Sequence, residues 1–155
     1  AAAFAQATVQ RPLSLLFLDA DHFKAINDNY GHQAGDRVLV ELARLLSGQL
    51  DDDDDDAAVA RYGGEEFAVV LPGTDRRAAS IRAEQMRQTI ASAEIDCGEE
   101  GCLQITASIG VATHDGSFFQ AVDQLIKAAD QGVYAAKASG RNCVRIFTPR
   151  PKVAA

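Results

Sequence analysis

The strongest constraint on the fold is the segment 61–67, RYGGEEF, which lies between two apolar stretches. A Gly-Gly pair between β-like runs predicts a tight hairpin turn, because glycine adopts positive φ without steric cost. The predicted arms are residues 57–62 and 67–71. The hairpin would place two adjacent carboxylates, Glu65 and Glu66, at the exposed tip of a sheet. Exposed glutamates often only solvate a turn, so this segment alone leaves a structural and a functional role equally open.

A further carboxylate lies at the end of another predicted strand. The apolar run LSLLFL, residues 13–18, is typical of a buried central strand, and Asp19 follows it directly. Acids at the ends of neighbouring strands can converge on a hard cation such as Mg²⁺. Magnesium held in this way usually serves phosphate chemistry.

Helical spacing of apolar residues predicts two long amphipathic helices, one from Val38 and one over residues 75–93. Their apolar stripes are core faces rather than ligand sites. A short helix is predicted over residues 22–29. Residues 1–12 are predicted to be the end of a helix and a connector, with a break at Pro12.

The C-terminal half is predicted to hold two strands around a third long helix. Residues 103–111 alternate apolar and polar side chains, which indicates a half-buried strand. Ser117 and Gln120 form a capping box for the helix, Gly140 marks its end, and residues 142–147 form the last strand. The order β-α-α-β-β-α-β-α-β excludes a doubly wound parallel sheet and predicts an α+β domain with a ferredoxin-like βαββαβ core.

Length and charge narrow the class of protein. The 155 residues, 47% of them apolar, predict a single domain over 1–155. The net charge is −7, but the run 51–56 holds six aspartates, so the acidity is local and the run is expected to be a solvated loop. The sequence has no basic stripe, which argues against a nucleic-acid polymer as partner but leaves nucleotide binding open.

Cysteine content and hydropathy favour a cytoplasmic domain. Cys97, Cys102 and Cys143 are an odd number without metal-type spacing. This pattern favours free thiols in a reducing compartment, although the first two could close a small loop. No apolar run approaches the roughly 18 residues that span a bilayer, so no membrane contact is expected. The chain begins with Ala1, and we expect a domain excised from a longer sensory protein.

Four strings in order resemble the GGDEF family of diguanylate cyclases. They are RYGGEEF, DADHFKAINDNYGHQAGD at 19–36, TASIGVA at 106–112 and YAAKASGRNCV at 134–144, and the resemblance extends over 13–147. It implies a nucleotidyl-cyclase-like α+β fold, with a central five-stranded, mainly antiparallel sheet surrounded by helices and a GGEEF hairpin at the active site. The family condenses two GTP molecules into cyclic di-GMP and two pyrophosphates, across a homodimer.

The resemblance also implies metal and catalytic roles. Asp19 and the carbonyl of Ala20 match the family's ligands for Mg²⁺ or Mn²⁺, two ions in each half-site. Glu65 and Glu66 match the signature acids, which supply a further metal ligand and a base for the 3′-hydroxyl. Adjacent side chains of an extended arm face opposite ways, so one of the two reaches the metal cleanly, and Glu65 is favoured.

Contacts to the base are implied by the same resemblance. Asn27 and Asp36 match the family's guanine-binding residues, whose amide and carboxylate suit the base edge. The alternatives are a helix-surface role for Asn27 and an N-cap role for Asp36. Gly63 and Gly64 would let the backbone approach the nucleotide closely.

Phosphate contacts are matched by Lys24, Lys137 and Arg141, assisted by the backbone N–H groups of His22 and Phe23. Lys137 and Arg141 lie at i and i+4 where a helix is predicted to end, so both could reach one anion. Cations are also simply favourable at that end of a helix.

One departure from the family concerns regulation. Many members have an RxxD product-inhibition site, whose positions here are Asp54 and Ala57. We therefore expect no allosteric inhibition through that site. The rival interpretation of the chain is a non-catalytic sensor that binds GTP or cyclic di-GMP, and the complete set of matched acids and cations argues against it.

Overall fold

A five-stranded sheet forms the centre of the molecule. The computed structural model describes residues 2–51, 53 and 56–149. In chain order the strands are β1 (Leu13–Ala20), β2 (Ala58–Arg61), β3 (Glu66–Pro72), β4 (Ile95–Asp96), β5 (Cys102–Leu103), β6 (Ala107–His114) and β7 (Val144–Ile146). The large sheet has the order β2-β3-β1-β6-β7, and only its β6–β7 pair is parallel. The predicted α+β class and mainly antiparallel five-stranded sheet are confirmed.

In the described part of the chain, five α-helices cover the two faces of this sheet. They are α1 (Ala2–Gln6), α2 (Phe23–Tyr30), α3 (His32–Gly48), α4 (Arg76–Ser92) and α5 (Val122–Ala138). One core lies between the sheet and α2, α3 and α4, and a second lies between the opposite face, α1 and α5. Every residue of β1 is buried, because the strand is central and both of its faces are covered. Within the described residues, no helix is long and apolar enough to cross a membrane.

Three predictions about individual elements are wrong. The strand predicted over 103–111 is two elements, since Leu103 pairs with Ile95 in the small β4-β5 ribbon, while β6 is buried throughout rather than half-buried. The helix after β6 begins at Val122, not at a Ser117 capping box. Ser117 instead bonds to Asp115, through both its hydroxyl and its backbone N–H.

Two helix boundaries bear on the site. α3 begins at His32, six positions before the predicted start at Val38, directly after Gly31 at φ 89°. α5 ends as predicted near Gly140, which has φ 107° and donates its N–H to the Lys137 carbonyl. The N–H of Arg141 bonds to the Ala136 carbonyl at 2.9 Å, so the helix closes with a Schellman turn.

The acidic run is exposed wherever the structure describes it, at Asp51, Asp53 and Asp56. Its other members, including Asp54 of the predicted inhibitory site, lie outside the described residues.

Candidate active site

The strand ends bring the predicted acids together. Asp19, the last residue but one of β1, is directly opposite Glu66, the first residue of β3. Glu65 precedes β3, and its carbonyl accepts the Ala20 N–H at 3.4 Å. Antiparallel pairing of β1 with β3 is therefore what assembles the acid cluster.

This cluster holds more negative charge than its surroundings balance. The Asp19 side chain is buried, and its Oδ2 accepts a hydrogen bond from the Lys137 ammonium. Burial, together with the negative charge of Asp19, raises the pKa of Glu65. Burial and the charges of Asp19 and Asp130 likewise raise the pKa of Glu66, while Lys137 opposes both shifts. One ammonium thus faces several carboxylates.

The donor set of this cluster fits a divalent cation. The second oxygen of Asp19, Oδ1, is buried without a hydrogen-bond partner. A buried carboxylate oxygen is normally paired or bound to a metal, and carboxylates are ligands that Mg²⁺ accepts. Across the described residues, no three His, Cys, Asp or Glu side chains are already arranged around a common ion position. Assignment of Asp19, the Ala20 carbonyl and Glu65 as metal ligands therefore stays a prediction.

The hairpin is present, but its glycines act differently from the prediction. β2 ends at Arg61 and β3 begins at Glu66, and the N–H of Tyr62 donates to the Glu66 carbonyl at 2.8 Å. Gly63 and Gly64 are absent from the positive-φ residues of the described chain. The Arg61 guanidinium instead holds the turn by donating to the Gly64 carbonyl at 2.6 Å.

Steric crowding accounts for the glycine at position 63 but not for the one at position 64. A Cβ on Gly63 would lie 3.2 Å from Oε2 of Glu66, whereas nothing lies within 4 Å of one on Gly64. A side chain at position 63 would therefore press on an acid of the cluster.

The predicted guanine-binding residues lie on two consecutive helices. Asn27 is on α2 and packs against Gly35 of α3, where a Cβ would lie 1.8 Å from the Asn27 Oδ1. That oxygen is buried and has no hydrogen-bond partner, so the helix-surface alternative is wrong. Asp36 is exposed and follows Gly35 inside α3, so the N-cap alternative is wrong as well. The unpaired Asn27 oxygen and the exposed Asp36 carboxylate are groups that suit a polar ligand.

The predicted phosphate contacts occupy two turns. His22 has φ 57° and immediately precedes α2, whose first N–H groups, including that of Phe23, have no acceptor within the helix. Lys24 is exposed on the same helix. Such an N-terminus favours anions.

The second turn follows α5 and corrects the i, i+4 argument. Lys137 is in the last turn of α5 and pairs with Asp19. Arg141 lies beyond the helix, exposed and at φ 66°, so its direction is set by the turn and not by helical spacing.

Sequence reasoning missed Asp21. This carboxylate is 3% exposed and accepts hydrogen bonds from Thr106 Oγ1 at 2.7 Å, Ser108 Oγ at 2.6 Å and the N–H of Asn142 at 3.0 Å. Its only signal in the sequence is its place in the string DAD, two residues after Asp19.

Comparison with known proteins identifies the family. The family model described as "Diguanylate cyclase, GGDEF domain" matches residues 1–143. Diguanylate cyclase DgcM of Escherichia coli (strain K12) is 43% identical over 136 residues, which are 88% of this chain and 31% of that protein. The chain therefore belongs to the GGDEF family of diguanylate cyclase domains. It spans about a third of the length of the curated relative DgcM.

Two solved structures support the same assignment. The active GGEEF domain of a diguanylate cyclase from Vibrio cholerae is 36% identical, with a TM-score of 0.84 over 96% of this chain and 92% of that one. The GGDEF domain of DgcB from Caulobacter crescentus, solved in complex with c-di-GMP, is 31% identical, with a TM-score of 0.79 over 88% of this chain and 78% of that one.

Proposed function

We propose that this domain is a diguanylate cyclase, which condenses two GTP molecules into cyclic di-GMP with release of two pyrophosphates. The observation that carries the proposal is the buried, partly unpaired Asp19 beside Glu65 and Glu66 at the strand ends of a GGDEF-family sheet. Two domains would face each other as a homodimer, each with one GTP, since the product itself has two-fold symmetry.

The acid cluster would hold two Mg²⁺ or Mn²⁺ ions in each half-site, through Asp19, the Ala20 carbonyl and Glu65. These ions would neutralise phosphate charge and make the attacking 3′-hydroxyl more acidic. Glu65 or Glu66 would take the proton of that hydroxyl. Burial and the negative charge of Asp19 raise the pKa of both carboxyls in the cation-free cluster, which is the direction that favours holding a proton.

Substrate positioning would come from the neighbouring helices. Asn27 and Asp36 would read the guanine edge, and this pairing favours guanine over adenine. Lys24, Lys137 and Arg141, together with the N–H groups of His22 and Phe23, would hold the triphosphate. The Lys137 ammonium, which pairs with Asp19 in the structure, would be free to contact the phosphates once cations neutralise that carboxylate.

An anion-exchange assay of the purified domain with GTP and Mg²⁺, at low and high protein concentration, tests the proposal. Cyclic di-GMP made at a rate per monomer that rises with concentration would establish both the cyclase and its dimer. Nucleotide binding without product at any concentration would favour the non-catalytic sensor instead.

Regulation by product is proposed to be weak. The positions of the family's RxxD motif hold Asp54 and Ala57, and an acidic run would repel the product's phosphates. A titration with cyclic di-GMP should show weak inhibition that GTP relieves by competition. Tight, noncompetitive inhibition would contradict this expectation.

A further inference from the structure

We propose that Asp21 is a positioning residue that fixes the turn between α5 and β7, and through it holds Arg141 in place for the nucleotide's phosphates. The proposal rests on the proposed function, in which GTP is the ligand. It concerns a residue that is 3% exposed and lies two positions after Asp19.

The turn between α5 and β7 has an unusual backbone conformation. Gly140, Arg141 and Asn142 have φ values of 107°, 66° and 48°, so three consecutive residues are left-handed. This region is unfavourable for a residue with a Cβ, and less so for asparagine. Arginine persists there only where its surroundings impose it.

Besides the bond from the Arg141 N–H to the Ala136 carbonyl, two contacts at Asn142 impose this conformation. Oδ2 of Asp21 accepts the backbone N–H of Asn142 at 3.0 Å. The Asn142 side chain is held from the other side, because its Oδ1 accepts from Arg87 Nη1 of α4 at 2.8 Å. The Asp21 contact reaches the backbone, so it acts directly on the φ and ψ angles next to Arg141.

Asp21 is itself held in place by hydrogen bonds to Thr106 and Ser108. Thr106 and Ser108 donate to its two carboxylate oxygens, and the N–H of Asp21 donates to the Thr106 carbonyl at 2.9 Å. Asp21 therefore joins the end of β1, the start of β6 and the turn after α5. A charge-assisted network of this kind, buried at Asp21 and Ser108, can define one position for the turn.

A turn in this position matters for phosphates because Lys137 lies within α5, whereas Arg141 lies beyond it and is tied back by one backbone bond, from its N–H to the Ala136 carbonyl. Without the Asp21 contact, Arg141 would keep its charge and its bond to Ala136, but the Asn142 backbone that follows it would be released, and with it the direction of the Arg141 side chain. Loss of Asp21 should consequently resemble loss of Arg141 in affinity for GTP, and should leave binding of a nucleotide with fewer phosphates nearly unchanged.

The test compares wild type, Asp21→Ala, Arg141→Ala and the double variant by calorimetric titration with GTP and with GMP. Asp21→Ala and Arg141→Ala should each raise the Kd for GTP about tenfold, the size expected for one contact to a charged group. The double variant should raise it less than about twofold further, because residues that act as a unit are non-additive. The Kd for GMP should change less than about twofold. Additive losses for GTP, or an equal loss for GMP, would overturn the proposal.

Two controls separate positioning from stability. Ser14→Ala breaks a buried hydroxyl pair with Thr113 at the other end of β1, so it should lower the Tm without changing the Kd for GTP. Asp21→Asn should rescue binding, since its amide oxygen can still accept the Asn142 N–H while its amide group donates to a rotated Ser108 hydroxyl. A Kd for Asp21→Asn as poor as that of the alanine variant would contradict positioning through this hydrogen bond.

A readout without ligand completes the experiment. Amide hydrogen exchange at Asn142 should accelerate in Asp21→Ala and stay unchanged in Arg141→Ala; unchanged exchange in Asp21→Ala would overturn the proposal. If Asp21→Ala does not fold, Asp21→Ser, one bond shorter than aspartate, takes its place. Wild-type protein that binds GTP without making cyclic di-GMP would refute the cyclase and leave the Asp21 result standing.

Discussion

Asp19 and Asp21 are two residues apart, and both are almost fully buried, yet their surroundings differ completely. Asp21 has a donor for each oxygen, from two hydroxyls and one backbone N–H. For Asp19, the Lys137 ammonium donates to Oδ2, whereas Oδ1 has no hydrogen-bond partner. The carboxylates of Glu65 and Glu66 are close enough for its charge to raise their pKa values. A buried carboxylate whose oxygens are both hydrogen-bonded within the protein has a structural role, whereas one with an unpaired oxygen is a candidate for binding a ligand.

The largest effect should come from making the same substitution at both positions. Asp19→Asn should lower cyclic di-GMP formation at least about 10²–10³-fold, as the loss of a group that faces the developing charge does. Asp21→Asn should stay within about threefold of wild type, because its hydrogen bonds can be rebuilt. The measurement is product formation at saturating GTP and Mg²⁺, with circular dichroism to show that both variants fold. Equal losses at the two positions would remove the distinction.

A contact between two glycines allows the surroundings of Asp19 and Asp21 to be disturbed together, by moving α5. Gly110 of β6 and Gly132 of α5 touch, since a Cβ on Gly132 would lie 2.7 Å from the Gly110 Cα. Gly132→Ala should therefore lower the free energy of unfolding by about 1–3 kcal/mol. It should also push α5 away from the sheet, which moves Lys137 from Asp19 and the following turn from Asp21.

The control for that substitution is Gly48→Ala at the end of α3, where an added Cβ meets nothing within 4 Å. Its unfolding free energy should stay within about 0.5–1 kcal/mol of wild type. Chemical denaturation measures both variants, and a Gly132 variant as stable as the Gly48 variant would show that β6 and α5 tolerate separation.

Much of the scaffold around the two aspartates could be predicted from the sequence. The continuous apolar run of β1 is typical of a strand covered on both faces, and the i, i+4 stripes of α3 and α4 are core faces. The hairpin followed from Gly63-Gly64 even though the φ-based reason was wrong. Local patterns suffice here because the side chains that face the core recur along the sequence with the period of the helix or strand.

The predictions that failed concern very short strands and a competing local hydrogen bond. The β4-β5 ribbon has two residues in each strand, too few for any period to be visible. Ser117 could cap a helix, but a nearby acid, Asp115, binds its hydroxyl first. Such local competition is decided by geometry and not by residue type.

The candidate active site likewise has features that local sequence predicts and features that only the structure shows. Asp19, Glu65 and Glu66 could be predicted to meet, because strand ends and a hairpin tip are local features. The pairing of Asp19 with Lys137 joins residues 118 apart, and the ligation of Asp21 uses a backbone N–H that no residue letter reveals. A motif therefore identifies which acids matter, while only the structure separates the saturated one from the incomplete one.

The smallest expected effect concerns pH and the incomplete cluster. Because the folded protein raises the pKa of Glu65, the folded state holds that proton to higher pH than the unfolded chain does. The resulting stabilisation is complete below the ordinary carboxyl pKa and is lost as pH rises through the raised value. Glu65→Gln removes this loss, so its unfolding free energy relative to wild type should increase from acid to neutral pH.

Glu41 supplies a control of opposite sign. Its hydrogen bond with Arg44 lowers the pKa of the Glu41 carboxyl, so its stabilisation is present above the ordinary carboxyl pKa and is lost on acidification. Glu41→Gln should therefore be slightly less stable than wild type at neutral pH and equal to it in acid. Urea unfolding of the three proteins across this pH range, without and with Mg²⁺, measures both effects. Mg²⁺ should lower the relative stability of Glu65→Gln at neutral pH, because a cation that binds the ionised cluster stabilises wild type more. Identical pH profiles for the two variants would mean that the acids around Asp19 are no less satisfied than an ordinary surface pair.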